Sequence, residues 1–248
     1  MHPLRLYTVP CLLIGELPTA IFTILDVLHV ASGCRDKGRP YPSGNDIFRV
    51  ASIYIKNLLG ILLISSLGME FFIYTNSVPY NMDPDVSTHI ILLQLIQVTL
   101  ATEFLFYWLH RYVHYNRRLY YWLHIDHHQW RYNSFALVNH DLAVPEIAIF
   151  SLCPALPCIA LGVHWNTMLI HAIYTNWQGT YSHSGYHFKW LDIILLTDSR
   201  DHDNHHKHPT YNFAGGGWFS LMDRIFGTYY NLREIDLSTP ILCRRGRT

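Results

Sequence analysis

The reading of this chain turns on residues Phe106–Trp130, FYWLHRYVHYNRRLYYWLHIDHHQW. Five imidazoles, His110, His114, His124, His127 and His128, follow directly on an apolar run from Thr88 to Leu109. His110 and His114 are four residues apart, so on a helix that continues the apolar run they share a face. His124, His127 and His128 stand at i, i+3 and i+4, which predicts one face again. Neutral imidazole is the commonest protein ligand for metals such as iron and zinc.

The pattern returns downstream. HSGYH places His183 and His187 four apart, and HDNHH repeats the i, i+3, i+4 spacing with His202, His205 and His206. Ten clustered histidines exceed the four donors that a structural zinc takes, and two metal ions with several histidines each fit the count. His2, His29, His89 and His164 have no histidine partner and read as ordinary surface or interface residues. His140, His171 and His208 are intermediate.

Hydrophobic residues make up 50% of the 248 and charged residues 15%, below the ~25% usual in soluble domains. Acidic and basic residues balance at 18 each, which suggests neither a nucleic-acid partner nor an acidic tail. Cys11, Cys34, Cys153, Cys158 and Cys243 form no CxxC pair, against a disulfide framework. Cys11–Ala31, Ala51–Tyr74 and Thr88–Leu109 are each long enough to span a ~30 Å hydrocarbon core. Glu16 and Asp26 argue that the first block is a retained span rather than a cleaved leader. A fourth block, Leu142–Tyr174, is interrupted by Pro145, Pro154 and Pro157. Arg35, Lys37, Arg39 and Arg49 occupy the first loop; Arg111, Arg117, Arg118 and Arg131 follow the third span, while Thr75–Ser87 has only Asp83 and Asp85. The positive-inside rule places 32–50 and the residues after Leu109 in the cytosol. For all four histidine clusters to share one site, 142–174 must enter the membrane and return. The expected architecture is all-α and multispan, with four to five transmembrane or re-entrant helices and a cytosolic, helical, histidine-rich cap. Its divisions are membrane helices over 1–99, a histidine-bearing region over 100–232, which the resemblance described next makes catalytic, and a short cytosolic tail over 233–248.

FYWLHRYVH, HIDHH, HSGYH, DHDNHH and the closing NFAGGGWFSLMDRIFGTYY together resemble the fatty acid hydroxylase superfamily over about residues 100–230. That superfamily includes sterol desaturases, sterol 4-methyl oxidases, cholesterol 25-hydroxylase and sphingoid-base and fatty acid hydroxylases. The resemblance implies two irons held by the ten histidines, O₂ as co-substrate, and oxygen insertion into a lipid C–H bond. It implies zinc as a substitute for iron on purification, and electrons from a cytochrome b5-like carrier with its reductase. It implies residence in the endoplasmic reticulum membrane with the metal site facing the cytosol. No GxGxxG or HPGG segment supplies an electron source within the chain. Two departures stand out. Met222 precedes Asp223–Arg224 where the family often has Trp, and NHDLAVPE (139–146) carries Asp141 where an HPLE-like segment commonly has Pro. Details of NSFAL, HSGY and DRIFGT lean toward a sterol substrate; a sphingoid-base or fatty acyl hydroxylase, or a lipid desaturase, is the alternative.

Glu103 lies seven residues before His110, nearly on the same helical face, so its carboxylate is expected to line or support the site. Asp126, Asp201 and Asp203 are candidates to hold the outer nitrogens of ligand histidines. Tyr107, Trp108, Tyr120, Tyr121, Trp122 and Trp130 read as an interfacial aromatic belt. Gly215–Gly217 read as a flexible turn. A metal transporter would carry its ligands near the bilayer midplane, whereas these lie beyond the apolar blocks. A zinc hydrolase would show a motif such as HExxH, which is absent.

Overall fold

The computed structural model describes residues 10–11, 13–35, 39–75 and 80–231. The expected tail at 233–248 lies outside them, as do His2, Lys37 and Cys243. Regular structure among the described residues is helical, with isolated bridges and no strand. The principal helices are α1 (Leu17–Val27), α2 (Gly44–Tyr74), α3 (Thr88–Tyr115), α4 (Val144–Phe150), α5 (Leu152–Ala160), α6 (Trp165–His183), α7 (Lys189–Ile194), α8 (Ser199–Lys207) and α9 (Leu221–Ile225).

α3 is the spine of the molecule. Ser87 caps its start, accepting from Ile90 N at 3.4 Å. Asn116 closes it and caps the next turn, its Oδ1 accepting from Arg118 N and Leu119 N at 3.1 and 3.2 Å. Its 28 residues extend about 42 Å at 1.5 Å per residue, more than the hydrocarbon core requires. It is the one helix among the described residues that is long and apolar enough to cross a membrane. Leu92, Leu93, Ile96, Phe104 and Trp108 on it are exposed. An outward apolar surface of this kind is unusual on a soluble protein.

The first expected span is shorter than the sequence suggested. The chain turns at Glu16, and α1 has 11 residues, too few to cross alone. The acidic residues within this block explain the departure, because both are held by partners on other segments. Asp26 accepts from Arg35 Nη1 at 2.5 Å and from Tyr186 OH at 3.1 Å. Glu16 lies 3.3 Å from His140 Nε2 and accepts from Asn176 Nδ2 at 3.1 Å.

The proline-interrupted block folds as a helical hairpin. Pro145 sits in the first turn of α4, where its missing N–H is harmless, and α4 and α5 run outward from the histidine-rich end. The tip is a turn at Gly162, whose φ is +56°. There Val163 O accepts from Asn81 N and Asn81 O accepts from Trp165 N, both at 3.0 Å. α6 then carries the chain back, so that His183 finishes beside His127. Small buried clusters, such as Phe22 with Tyr181 and Tyr186, pack α1 against this returning helix.

Candidate metal centre

Four segments deliver histidines to one end of the molecule. His110 and His114 come from the end of α3. His124 closes a π-helical turn, Tyr120–His124, and His127 and His128 lie on the 3-10 turn that follows. His183 ends α6, while His202, His205 and His206 line α8. The π turn, with Ile125 N donating to Tyr120 O at 2.9 Å, adds a residue to the ordinary helical repeat. π turns are frequently found at functional sites.

The imidazoles form two groups. The first is His110, His114, His124, His128 and His205; the second is His127, His183, His202 and His206. The one-face expectation for each HxxHH box is therefore corrected. In HIDHH, His124 and His128 join the first group and His127 the second; in HDNHH, His205 joins the first while His202 and His206 join the second. Neighbouring residues on a helix point about 100° apart, so each HH pair feeds both groups.

Within the first group, Nε2 of His124 is 2.9 Å from that of His110 and 3.1 Å from that of His128. His205 Nε2 is 3.1 Å from His114 Nε2. In the second, His183 Nε2 stands 2.9, 3.1 and 3.3 Å from the Nε2 of His202, His127 and His206. These contacts are not ordinary hydrogen bonds. His110, His183 and His205 face the carbonyls of Phe213, Gly179 and Tyr211 through Nδ1, at 2.7, 2.7 and 2.6 Å. A carbonyl only accepts, so the proton of each ring is on Nδ1 and Nε2 presents a lone pair. Converging lone pairs repel unless a cation stands among them. Metal–imidazole bonds of about 2.0–2.1 Å put neighbouring nitrogens roughly 2.9–3.4 Å apart, from right-angle to tetrahedral geometry. The observed spacings fit a metal ion in each group.

Burial reinforces the neutral state. Eight of the nine rings are buried and His114 is half-buried. Burial first, and neighbouring imidazoles second, hold His124, His127, His128, His202 and His206 well below the ordinary imidazole range. Burial likewise brings His183 down to about 4. Unprotonated imidazoles are what metal binding requires.

His187 departs from the sequence expectation and lies in neither group. Its Nδ1 is 3.1 Å from Asp192 Oδ2, and its backbone N donates to Cys34 O at 2.6 Å. The HSGYH segment explains this: α6 ends at His183, and Gly185 at φ +75° breaks the helical register that would align the two rings. His140 instead sits with Glu16 and Thr19. His171 is buried between Thr102 and Thr99, at 2.9 and 3.4 Å, and His208 stacks edgewise on Tyr230.

Of the carboxylates, Glu103 stays at the site, while the three aspartates are placed differently. Glu103 is buried and lines a cavity beside the histidines. Asp126 is exposed, Asp201 accepts from Ser220 Oγ at 2.7 Å, and Asp203 pairs with Arg39 and Lys207. The acid bonded to a ligand ring is Glu146, whose Oε1 lies 2.5 Å from His124 Nδ1. Sequence reasoning missed it, although it ends the NHDLAVPE segment and is an ionisable residue in an apolar block, where such residues are commonly functional.

Gly215–Gly217 are close-approach positions rather than a flexible turn. A methyl group on Gly217 would collide with the Glu103 carboxylate, and one on Gly216 would sit 2.7 Å from Asp198 O. Asp223 anchors this loop, accepting from Phe213 N at 2.8 Å, Ala214 N at 2.9 Å and Thr228 Oγ1 at 2.7 Å.

The cavity, about 240 Å³, opens beside both groups, reaching His110, His124, His127, His183 and His202. Phe106, Leu142, Phe150, Cys153 and Pro154 give it an apolar wall; Thr175, Gln178 and Ser182 of α6 face them.

The family described as fatty acid hydroxylase matches residues 95–228. Methylsterol monooxygenase 2-2 of Arabidopsis thaliana is 26% identical over 211 residues, 79% of this chain and 73% of that protein. Human cholesterol 25-hydroxylase is 33% identical over 107 residues, 41% of this chain and 38% of that protein. Very-long-chain aldehyde decarbonylase GL1-11 of Oryza sativa subsp. indica is 28% identical over 155 residues, 59% of this chain and 57% of that protein. Against the first relatives matched, the chain spans about half their length. No solved structure matches.

Proposed function

The chain belongs to the fatty acid hydroxylase family, and from that premise we propose that it is a membrane oxidoreductase, a monooxygenase acting on a lipid C–H bond. The observation that carries the reading is the pair of histidine groups, with converging lone pairs, beside a cavity walled on one side by an apolar hairpin. His110, His114, His124, His128 and His205 would hold one iron, and His127, His183, His202 and His206 the other; zinc would compete for both on purification. Bound iron supplies the reductive activation of O₂.

The residues around it do the rest. Phe106, Leu142, Phe150 and Pro154 receive apolar substrate and exclude bulk water from the reacting carbon. Thr175, Gln178 and Ser182 offer hydrogen bonds to a polar group on the substrate. The volume falls below the ~300–1,000 Å³ of sites that enclose a drug-sized ligand, so the cavity takes the reacting end of a lipid whose remainder stays in the bilayer. The backbone carbonyls of Phe213, Gly179 and Tyr211 hold three ligand rings in one tautomer.

A sterol is the substrate we infer. The supporting fact is that two relatives bear names of sterol enzymes, a methylsterol monooxygenase and a cholesterol 25-hydroxylase. Electrons would come from a separate cytochrome b5-like carrier and its reductase. The basic loops favour an orientation with the metal groups toward the cytosol, and the family resemblance suggests the endoplasmic reticulum membrane. The test is lipid profiling of membranes expressing the chain beside a His127→Ala control. A hydroxylated sterol is expected in the first and absent from the second. A hydroxylated sphingoid base or fatty acid would overturn the sterol assignment, a new double bond would indicate desaturation, and no change would contradict the activity.

A further inference from the structure

One side chain joins the cavity wall to a ligand ring. Glu146 is 1% exposed and stands on α4. Its two oxygens are divided between Oε1, 2.5 Å from His124 Nδ1, and Oε2, which accepts from Ala143 N at 3.3 Å. For Nε2 of His124 to be a donor to metal, its ring proton must sit on Nδ1, so the Glu146 oxygen there is an acceptor. The other outer contacts of ligand rings described above are to neutral carbonyls, of Phe213, Gly179 and Tyr211. Among the described residues, no carboxylate hydrogen-bonds a ring of the second group. The two groups thus differ in donor number, five against four, and in the charge behind them.

We infer that Glu146 is a positioning residue that sets the two metal positions apart. It fixes His124 with its lone pair turned to the first group and, with a cation bound there, places a negative charge behind that group alone. A carboxylate in this position raises the basicity of the ligand and with it the affinity of the site. The side chain also belongs to the hairpin that forms the apolar wall, so a shift of α4 reaches one metal position directly. The inference rests on reading the groups as metal sites and is independent of which lipid is oxidised.

The experiment is a Co²⁺ titration of the metal-free full-length chain in detergent, in competition with a chelator and followed by visible absorption. Two ions per chain are expected. Glu146→Gln keeps an acceptor oxygen but removes the charge; one ion should then bind about 10–100-fold more weakly, with an altered visible band, and the other unchanged. Glu146→Asp, which keeps the charge on a shorter arm, should fall between. In a His205→Ala background the Gln substitution should have no further effect, whereas in His206→Ala its effect should persist. Equal weakening of both ions, no weakening of either, or loss of helical circular dichroism in Glu146→Gln would overturn the inference. A parent chain that binds no Co²⁺ would instead count against the metal reading itself.

Discussion

Asp223 shows how a residue that touches no metal ligand can govern one. It holds the amides of Phe213 and Ala214, and the carbonyl of Phe213 receives His110 Nδ1. Asp223→Ala leaves two buried donors unmet, each costing about 1–3 kcal/mol. A lower melting temperature and loss of the first group's metal are expected, read by calorimetry and metal count. Glu103→Gln tests a different role. The carboxylate lines the cavity, so the substitution should reduce turnover while metal content stays; if turnover is unchanged, the role assigned to Glu103 falls. Acidity acts on the rings themselves. His183 is brought by burial to about 4, against about 6.5 when unfolded. A depressed imidazole pKa means that the unfolded chain takes the proton first. Its contribution to stability is therefore complete above about pH 6.5 and is lost as pH falls toward 4. The melting temperature of the metal-free chain should decline across that window, and a flat profile would contradict it.

At the scale of elements, α3 was the most legible part of the sequence. An apolar run followed by HxxxH gave a long helix with Glu103, His110 and His114 directed to one end. The same logic yields a sharp prediction. One alanine inserted after Leu105 rotates everything beyond it by about 100°, so His110 and His114 should leave their group and metal content should fall. The same insertion near Leu93, ahead of Glu103, should keep Glu103 in register with the histidines. The hairpin was legible through its prolines and through the need to return His183 to the other clusters. Its tip at Gly162, against Asn81, was not, because it depends on backbone hydrogen bonds with no sequence period. The division of each HxxHH box between two groups was hidden too. In HIDHH the uniform 3.6-residue repeat of a helical wheel fails, because Tyr120–Gln129 passes from a π turn to a 3-10 turn. In HDNHH, on the regular α8, the split follows from the ~100° between adjacent His205 and His206, which a one-face reading passes over. Glu146 lay in plain sight within NHDLAVPE, but a carboxylate's partner in another segment has no signature in spacing.

On the scale of the whole molecule, apolar side chains are exposed on α1, α2, α3 and the hairpin, while the histidines gather at one end. The proposed topology turns that end to the cytosol and 75–87 to the opposite side. A glycosylation acceptor inserted near Asp83 should be modified and one near Thr180 should not; the reverse pattern would refute the orientation. Exposed Arg117, Arg118 and Arg131 flank Tyr120, whose ring is 5.2 Å from that of half-buried His114. Reduction by an acidic carrier should therefore weaken with added salt, and charge reversal at Arg131 should raise the carrier's KM; salt-independent reduction would place its docking elsewhere. Metal binding by both histidine groups is the property on which the proposed activity depends most. Elemental analysis of the full-length chain, reconstituted anaerobically with iron and freed of loose metal, tests this most directly. About two irons per chain are predicted for the parent and about one after His206→Ala; a stray fraction of one metal in the parent would contradict it.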